Sequence, residues 1–444
     1  MAAEPGSDGF RRDFSPICPA EAEQLLAPLA ELPALALAVS GGPDSLALMR
    51  LVAGWRAGRA KPRVLVLTVD HGLRAESRAE AERVQLMAQA AGLRHEILTW
   101  EGDRPRRDIQ SAARAARYRL MAERCHQLGI GDLATAHHLD DQAETLLLRL
   151  ARGSGVDGLA AMAFRSIREG LTIHRPLLDV PKSRLVATLA AAGVAWSEDP
   201  SNTDPAFARA RLRALAPALA AEGLTPRRLA DTARRMRRAR EALESAAAAL
   251  TRESVSVDRA GFCRIVVDRL GAAPEEIALR VLARLVMAIG GADYPPRLDR
   301  LERLHGWLAA GGAQRGATLA GCRFVRAGAH VLVMREEGRT GLPEVALGQA
   351  AALVWDRRFR IAASSCPVPV TSVLVKPLGR AGLAVLKAEG LMRPIPALAA
   401  RTTPALYDGE RLVAAPLAAT GGPFAPAWLE VSFLGATRFA GGGH

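Results

Sequence analysis

The chain has 444 residues, of which 49% are apolar and 4% aromatic, and its Lys and Arg outnumber its Asp and Glu by 59 to 46. At about 100–200 residues per domain, this length predicts about two to four domains, and the apolar fraction excludes a globally disordered chain. The net charge of +13 is carried almost wholly by arginine and suits a polyanionic partner, although an Arg-rich genome explains it equally well.

The opening residues and the cysteines exclude further classes of protein. Residues 1–20 lack the apolar core of a secretory signal, and no run of about 18 apolar residues predicts a membrane span. The five cysteines form no CxxC pair, which argues against a zinc ribbon, an iron–sulfur cluster or a disulfide scaffold. We therefore expect a cytoplasmic protein without a membrane partner, and the choice between monomer and homodimer stays open.

Short apolar runs alternate with amphipathic segments between residues 35 and 178. The apolar runs predict strands at residues 35–39, 64–69, 94–98, 133–136 and 171–174. The amphipathic segments predict helices at residues 44–55, 76–91, 110–128 and 140–151. This alternation predicts an α/β domain with a doubly wound parallel sheet, whose ligands bind at the carboxyl ends of the strands.

A loop rich in Asp, Pro, Ser, Asn and Arg is predicted at residues 198–213, and the chain after it is more helical. Thr225 as N-cap and Pro226 as first helical residue predict a long helix that runs to residue 251. Two further helices are predicted at residues 274–289 and 297–309.

Strand signals return in the last part of the chain. A hairpin is predicted at residues 318–325 and 330–335, and short strands at residues 352–361 and 406–413 are interrupted by Gly and Pro. We therefore expect a disordered tail at residues 1–20, a catalytic domain at 21–215, a mainly helical middle domain with a hairpin at 216–340, and a small α+β C-terminal domain at 341–444.

The most informative motif is Ser40-Gly41-Gly42-Pro43-Asp44-Ser45, which lies between the first predicted strand and the first predicted helix. Two glycines let the backbone turn so that its N–H groups point into one concavity, and a helix N-terminus adds partial positive charge. The motif therefore predicts a phosphate-binding loop, although it lacks the Gly-Lys-Ser/Thr of a Walker A loop. A plain strand-to-helix corner capped by Asp44 is the alternative. The motif resembles the Ser-Gly-Gly-x-Asp-Ser fingerprint of the PP-loop ATPases, which implies ATP as substrate.

A second motif, His-His-Leu-Asp-Asp-Gln-Ala-Glu-Thr at residues 137–145, follows the strand predicted at residues 133–136. Asp141 and Glu144 lie three residues apart at the start of a helix, so their carboxylates face one side and suit an ammonium group or Mg²⁺. Acidic residues that only complement the helix dipole are the alternative. The two histidines lack a further ligand at helical spacing, which argues against zinc.

Together with Arg152-Gly153-Ser154-Gly155, this second motif resembles the tRNA(Ile)-lysidine synthase family. The resemblance extends to residues 69–74, 113–118, 175–178 and 198–202; it is specific over residues 35–215 and faint beyond residue 335. It implies a carbon–nitrogen ligase that uses ATP and Mg²⁺ to join L-lysine to C2 of the wobble cytidine of a CAU-anticodon tRNA(Ile). The cytidine is adenylated first, AMP and pyrophosphate are released, and the specificity of the tRNA changes from methionine to isoleucine.

The resemblance also implies roles for individual residues. Residues 40–45 would hold the β and γ phosphates of ATP, with Asp44 near Mg²⁺. The adenosine would be bordered by Val69, Asp70 and His137. Lysine would bind to Asp141 and Glu144, and Glu144 is also a candidate proton acceptor. Arg117 would stabilise charge on the base or the α-phosphate, so the candidate catalytic residues are Asp44, Glu144 and Arg117.

Two sets of arginines predict contacts with the tRNA. One set belongs to a basic stripe on the long predicted helix: Arg234, Arg235 and Arg238. The other set follows an alternating, non-helical spacing in the predicted interdomain loop: Arg209, Arg211 and Arg213. Such arginines can follow a phosphate backbone, and the alternative for the stripe is a solvated face paired with Glu241 and Glu244.

Three other functions are alternatives to the ligase. A PP-loop tRNA thiolase would place cysteines around the site, but Cys125 is the only cysteine between residues 19 and 262. An amidotransferase-type synthetase would need an ammonia-supplying domain, for which no candidate N-terminal cysteine is present. A non-catalytic RNA-binding protein predicts erosion of the phosphate-binding loop or of the carboxylate pair, and neither motif is eroded.

Overall fold

The computed structural model describes residues 14–72, 77–101, 109–197, 204–312, 316–348, 352–364 and 373–436. The chain divides into two compact units, Met1–Arg240 and Glu241–Gly443. This division differs from the predicted boundaries at residues 215 and 340, and the first of these lies inside a helix. Within the described ranges, no helix is long and apolar enough to cross a membrane.

The first unit alternates strands and helices. Its strands are β1 (Ala34–Ala38), β2 (Arg63–Asp70), β3 (Arg94–Thr99), β4 (Asp132–Ala134), β5 (Arg165–Arg168) and β6 (Leu171–His174). Its helices are α1 (Pro19–Leu26), α2 (Pro43–Arg56), α3 (Ser77–Ala90), α4 (Ile109–Gln127), α5 (Leu139–Leu150), α6 (Val156–Leu159), α7 (Lys182–Ala191), α8 (Ala208–Ala221) and the first part of α9 (Pro226–Ser254). The strands form one sheet in the order β3-β2-β1-β4-β6-β5, which is parallel except for the antiparallel β5–β6 pair. The predicted parallel α/β sheet is confirmed.

The sequence of β1 shows how the sheet separates two apolar layers. Leu35 and Leu37 pack with α1, α2, α3 and α7, whereas Ala34 and Ala36 pack in the layer that contains α4. This alternation follows from the two-residue period of a strand. Because β1 lies between β2 and β4, its carboxyl end marks the point where the strand order reverses. The loops that leave these strands meet there, which is where sheets of this kind bind ligands.

The structure corrects several predictions for this unit. Residues 14–20 of the predicted tail are ordered, because Ile17 is buried and its N–H donates to Oγ1 of Thr188 at 2.9 Å, whereas residues 1–13 lie outside the described residues. Helix α8 begins at Ala208, inside the loop predicted at residues 198–213. Arg209, Arg211 and Arg213 therefore lie on a helix. The Ala, Leu and Arg of this segment are strong helix formers, and their propensity outweighs the alternating pattern of charge. Helix α7 was not predicted.

The second unit contains more strand than predicted. Its helices are the rest of α9, α10 (Val267–Gly271), α11 (Glu275–Gly290), α12 (Leu298–Ala309), α13 (Gly379–Ala388) and α14 (Ala397–Arg401). Its first strands are β7 (Val255–Asp258), β8 (Phe262–Val266), β9 (Ala317–Leu319), β10 (Cys322–Ala327), β11 (His330–Arg335) and β12 (Val345–Ala346). Its last strands are β13 (Ala352–Trp355), β14 (Phe359–Ala363), β15 (Val373–Pro377), β16 (Pro404–Asp408), β17 (Arg411–Ala414) and β18 (Leu429–Phe433). They form three sheets, in the orders β7-β8-β11-β10-β9, β12-β15-β16-β17 and β13-β14-β18.

Hairpins account for the additional strands of the second unit. The predicted hairpin is confirmed as the antiparallel pair β10–β11. The single strand predicted at residues 352–361 is instead the hairpin β13–β14, whose turn contains Asp356 and Arg357 at φ +48° and +55°. No Gly or Pro marks this turn, and it is held by Asp356, which accepts hydrogen bonds from Nε of Arg335 and Nε of Arg358 at 3.0 and 2.7 Å. Residues 404–414 likewise form the hairpin β16–β17.

Candidate active site

The predicted phosphate-binding loop connects β1 to α2. Gly41 has φ +88°, and a Cβ atom there would lie 3.3 Å from Cγ2 of Val84 on α3, so both the conformation and the space favour glycine. Oγ of Ser45 accepts the N–H of Ser40 at 3.1 Å and donates to the carbonyl of Gly42 at 3.0 Å. Because Gly42 is the N-cap of α2, the first N–H groups of the helix have no partner within it and are available to an anion.

His138 joins this loop to α5. Nε2 of its buried imidazole lies 3.5 Å from Oδ2 of Asp44 and 3.5 Å from Oδ2 of Asp141. Nδ1 lies 3.5 Å from Oδ2 of Asp140. Burial alone would lower the pKa of His138, but the three carboxylates outweigh burial and raise the pKa to about 10. A protonated His138 therefore links the phosphate-binding loop to the second motif, a role that the sequence analysis missed because it tested the histidine only as a zinc ligand.

The adjacent His137 has the opposite charge state. It follows β4, and its Nδ1 lies 2.8 Å from Oγ1 of Thr135. Burial lowers the pKa of His137 to about 4, so its imidazole is neutral at pH 7. Burial is the largest influence on the Asp141 carboxyl and raises its pKa, but the charge on His138, the backbone N–H of His138 and the nearby Arg209 together outweigh burial and hold the pKa below its ordinary value. The site thus contains a neutral imidazole, an imidazolium and an ionised carboxylate within five residues.

Asp44 also faces a lysine. Nζ of Lys182 lies 3.9 Å from Oδ2 of Asp44, and the backbone N–H of Lys182 donates to Oδ2 of Asp140 at 2.9 Å. The second oxygen of Asp44, Oδ1, is buried and has no hydrogen-bond partner among the residues that the structure describes. Lys182 was missed in the sequence analysis, although it is one of only four lysines and lies shortly after the motif at residues 175–178.

Both carboxylates predicted to bind lysine are buried on α5, and both have partners. Oδ2 of Asp141 accepts the backbone N–H of His138 at 3.1 Å. Glu144 is held by Arg213 of α8, whose Nε donates to Oε1 at 2.5 Å and whose Nη2 donates to Oε2 at 3.3 Å. Nε of Arg209, one turn earlier on α8, lies 4.0 Å from Oε2 of Glu144. Two of the arginines assigned to the tRNA therefore lie beside the predicted lysine site.

Arg117 reaches the carboxyl end of β2 from α4. Its Nη2 lies 2.9 Å from Nε2 of His71, and the ring of His71 meets the edge of Trp100 with 6.5 Å between centroids. Oδ1 of Asp70 accepts the N–H of Gly72 at 2.9 Å and shapes the turn in which His71 lies. Arg117 is thus held next to the residues predicted to border the adenosine, and His71 is the partner that positions it.

Comparisons with known proteins identify the family of this chain. A family model described as "PP-loop domain" matches residues 16–219. A tRNA(Ile)-lysidine synthase of a Bradyrhizobium species is 51% identical over 335 residues, which are 71% of this chain and 93% of the relative. The chain belongs to the tRNA(Ile)-lysidine synthase family. Proteins of the same name from Rhodopseudomonas palustris and a Methylobacterium species are each 48% identical, over 70% and 73% of this chain and 90% and 96% of their own lengths.

Not every residue that resembles the family is brought to the site. Among the stripe arginines, Nη2 of Arg234 lies 3.1 Å from Oδ1 of Asp179. Arg235 and Arg238 are exposed on α9, and neither has a carboxylate within salt-bridge distance among the described residues. The predicted partner Glu244 instead pairs with arginines of α11. Residues 73–74 and 198–202, which also resemble the family, lie outside the described residues.

Cys125 lies away from the loop. It is fully buried in the apolar layer between α4 and the sheet, and burial raises the pKa of its thiol to about 11. A buried thiol of such high pKa is a poor nucleophile. This environment argues against the thiolase alternative and agrees with membership of the lysidine synthase family.

Proposed function

We propose that this chain uses ATP to join L-lysine to C2 of the wobble cytidine of a CAU-anticodon tRNA(Ile), through an adenylated cytidine, with release of AMP and pyrophosphate. The observation that carries this proposal is that His138 links Asp44 of the phosphate-binding loop to Asp141 at one edge of the sheet, and Glu144 lies three residues after Asp141 on the same helix. A reaction that activates a base with ATP and then couples an amine needs a phosphate site and an ammonium site side by side. The names of the relatives support the choice of tRNA(Ile) as substrate.

In the first step, O2 of the cytidine attacks the α-phosphate of ATP, and the bond from this phosphorus to the pyrophosphate oxygen breaks. Negative charge builds on the leaving pyrophosphate, so cations and N–H donors near the β and γ phosphates lower the barrier. Residues 40–45 supply the N–H donors, and Lys182 supplies a positive charge close to Asp44. Arg117 supplies a second positive charge, on the base or the α-phosphate, and His71 holds its guanidinium in place.

The residues at the loop also fit Mg²⁺. Asp44 would hold the ion, because its buried Oδ1 has no hydrogen-bond partner in the described part of the chain. A single protein carboxylate is the usual protein share of a magnesium site that is completed by phosphates and water. When bound, the ion supplies positive charge that offsets the charge of the triphosphate. Lys182 and His138 help to hold the carboxylate of Asp44 in place.

The adenosine would lie along the carboxyl ends of β2 and β4. Val69 and Asp70 end β2, and His137 follows β4, so these residues lie on the two sides of β1 and its loop. The neutral imidazole of His137 can exchange a hydrogen bond with an uncharged purine without adding charge to the site.

In the second step, the ε-amine of lysine attacks C2 of the adenylated cytidine. The C2–O2 bond breaks, and AMP leaves with that oxygen. The amine must lose a proton before it can attack, and Glu144 is the proposed acceptor because its buried carboxylate lies three residues from that of Asp141 on the same helix. Asp141 would fix the ammonium end of the substrate by opposite charge.

The tRNA would be bound by two sets of arginines. Arg235 and Arg238 on α9 are exposed and carry charge without a carboxylate partner in the described ranges. The remaining arginines proposed for RNA are Arg209, Arg211, Arg213 and Arg234. Contacts of this kind bind phosphates without reading sequence, so they position the anticodon rather than select it.

The decisive test is transfer of radiolabelled lysine to a CAU-anticodon tRNA(Ile) transcript, with and without ATP and Mg²⁺. We expect label only with ATP, and none on a transcript whose wobble cytidine is replaced by uridine. Glu144→Gln should lower the rate by about a hundredfold or more, as loss of a general base does. Arg119→Gln, which breaks an exposed Arg–Glu pair on α4, is the matched control. ATP-dependent release of AMP without lysine label would refute lysine as the nucleophile.

A further inference from the structure

Arg213 occupies Glu144, the carboxylate that the proposed function assigns to the proton of the substrate amine, so the inference below rests on that function. Its guanidinium spans both oxygens of Glu144, at 2.5 Å and 3.3 Å. The Glu144 side chain is only 10% exposed, whereas that of Arg213 is 36% exposed, so the arginine covers the carboxylate from the solvent side. When a guanidinium contacts both oxygens of a carboxylate, neither oxygen is free to bind a second cation. Substrate lysine and Arg213 therefore compete for one site.

The helix that carries Arg213 is weakly held at this residue. Proline has no N–H, so Pro217 leaves the carbonyl of Arg213 without its helical hydrogen bond, and the proline ring crowds that same carbonyl. Ala210 is the single buried residue of α8, whose 14 residues all lie within the described ranges. Elements with few buried apolar contacts open at low free-energy cost. Polar contacts with Glu144 thus provide much of what fixes the first half of α8.

We propose that Arg213 is an exchangeable positioning residue that occupies the Glu144 carboxylate until substrate lysine replaces it, and that phosphates of the tRNA backbone are its other partner. Arg209 lies one helical turn away and faces the same carboxylate, so a shift of this half of α8 presents two guanidinium groups to the RNA. Lysine and tRNA then favour the same arrangement of α8. By linkage, each must raise the affinity of the other by the same factor.

The test measures lysine binding by calorimetry in the absence of catalysis, with the full chain alone, with a CAU-anticodon tRNA(Ile) transcript, and with ATP alone. For the unchanged chain we expect tRNA to tighten lysine binding by about tenfold, a typical coupling, and ATP alone to leave it unchanged. Arg213→Gln removes the competing cation, so it should bind lysine about tenfold more tightly without tRNA and lose most of the tRNA effect. Arg213→Lys keeps the positive charge but loses the two-pronged guanidinium contact, so its affinity for lysine should lie between those of the unchanged chain and Arg213→Gln.

The control is Arg119→Gln, which breaks an Arg–Glu pair of the same chemistry outside the site and should bind lysine as the unchanged chain does. Equal or weaker lysine affinity in Arg213→Gln, in protein whose circular dichroism matches that of the unchanged chain, would overturn the inference, as would full tRNA coupling in that variant. Coupling by ATP alone would overturn the assignment to RNA. Should Arg213→Gln not fold, the affinity of Arg213→Lys decides. A chain that binds no lysine under any condition and forms no lysidine refutes the proposed function instead.

Discussion

Gly41→Ala tests whether the phosphate-binding loop needs the backbone conformation that the structure shows. Gly41 has φ +88°, in the left-handed region, and a new Cβ atom would lie 3.3 Å from Cγ2 of Val84. A residue with a Cβ atom pays about 1–2 kcal/mol to adopt the left-handed conformation. Val84 is buried and closely packed, so the side-chain contact adds to this cost. We expect the free energy of unfolding of the first unit to fall by about 2 kcal/mol.

Gly42→Ala is the matched control in the same loop. Gly42 has φ −75°, which suits alanine, and the nearest atom to its Cβ would be Oγ of Ser40 at 3.8 Å. Alanine is a poorer N-cap than glycine, which lowers stability, but it also lowers the conformational entropy of the unfolded chain, which raises stability. The net change in the free energy of unfolding is less than about 0.5 kcal/mol. Gly42→Ala should therefore unfold at nearly the same urea concentration as the unchanged chain.

Both variants can be measured by urea unfolding, with the fluorescence of the buried Trp55 as one reporter of the first unit, and by calorimetric titration with ATP. Gly41→Ala should lose at least about tenfold in ATP affinity, because an altered turn moves the N–H groups that face the phosphates. The reasoning would be refuted if Gly41→Ala matched the unchanged chain in both stability and ATP affinity. Loss of stability in Gly42→Ala alone would refute the structural assignment of the two glycines.

Three further predictions concern charge. Lys182→Ala should raise the KM for ATP by about tenfold, with partial recovery in Lys182→Arg, because one of the cations near the phosphates is lost; steady-state kinetics measures this. The double change Arg235→Glu and Arg238→Glu should weaken tRNA binding and flatten its salt dependence, while calorimetry shows unchanged ATP affinity. Burial lowers the pKa of His95 from its ordinary 6.5. Its contribution to stability is therefore full above pH 6.5 and is lost as pH falls towards the lower folded value, so His95→Gln should reduce acid sensitivity in urea unfolding at pH 5 and 7.5.

Local patterns in the sequence were enough to locate the site. Five of the six described strands of the first sheet were predicted to within about two residues, because each is a short apolar run, whereas the polar strand β5 was missed. The motif at residues 40–45 contains the residue that its turn needs, because Gly41 adopts a positive φ that favours glycine. Residues 40–45 and 137–145 each follow a strand of the parallel sheet. Because the carboxyl ends of parallel strands meet at one edge, the sequence alone predicts that the two motifs lie close together. Motifs whose conformation depends on residues adjacent in the chain can therefore be predicted from the sequence.

Features that depend on contacts between residues far apart in the chain could not be predicted from the sequence. The hairpin turn at Asp356 contains no glycine or proline, and it is held by Arg335, which is 21 residues away. The protonation state of His138 depends on Asp44, which belongs to another motif. In each case the deciding interaction joins residues whose pairing no local pattern marks.

The arginines show why composition overstates the charge available to RNA. In the sequence, Arg213, Arg234 and Arg238 are equivalent members of a basic chain with net charge +13. In the folded first unit, Arg213 pairs with a carboxylate 69 residues away, and Arg234 pairs with one 55 residues away. Helical spacing reveals only partners three or four residues apart, so neither pair was predicted. Arg235 and Arg238 are exposed and have no carboxylate within salt-bridge distance among the described residues, so their charge is available to RNA, whereas under the proposal above Arg213 would contact RNA only when Glu144 releases it.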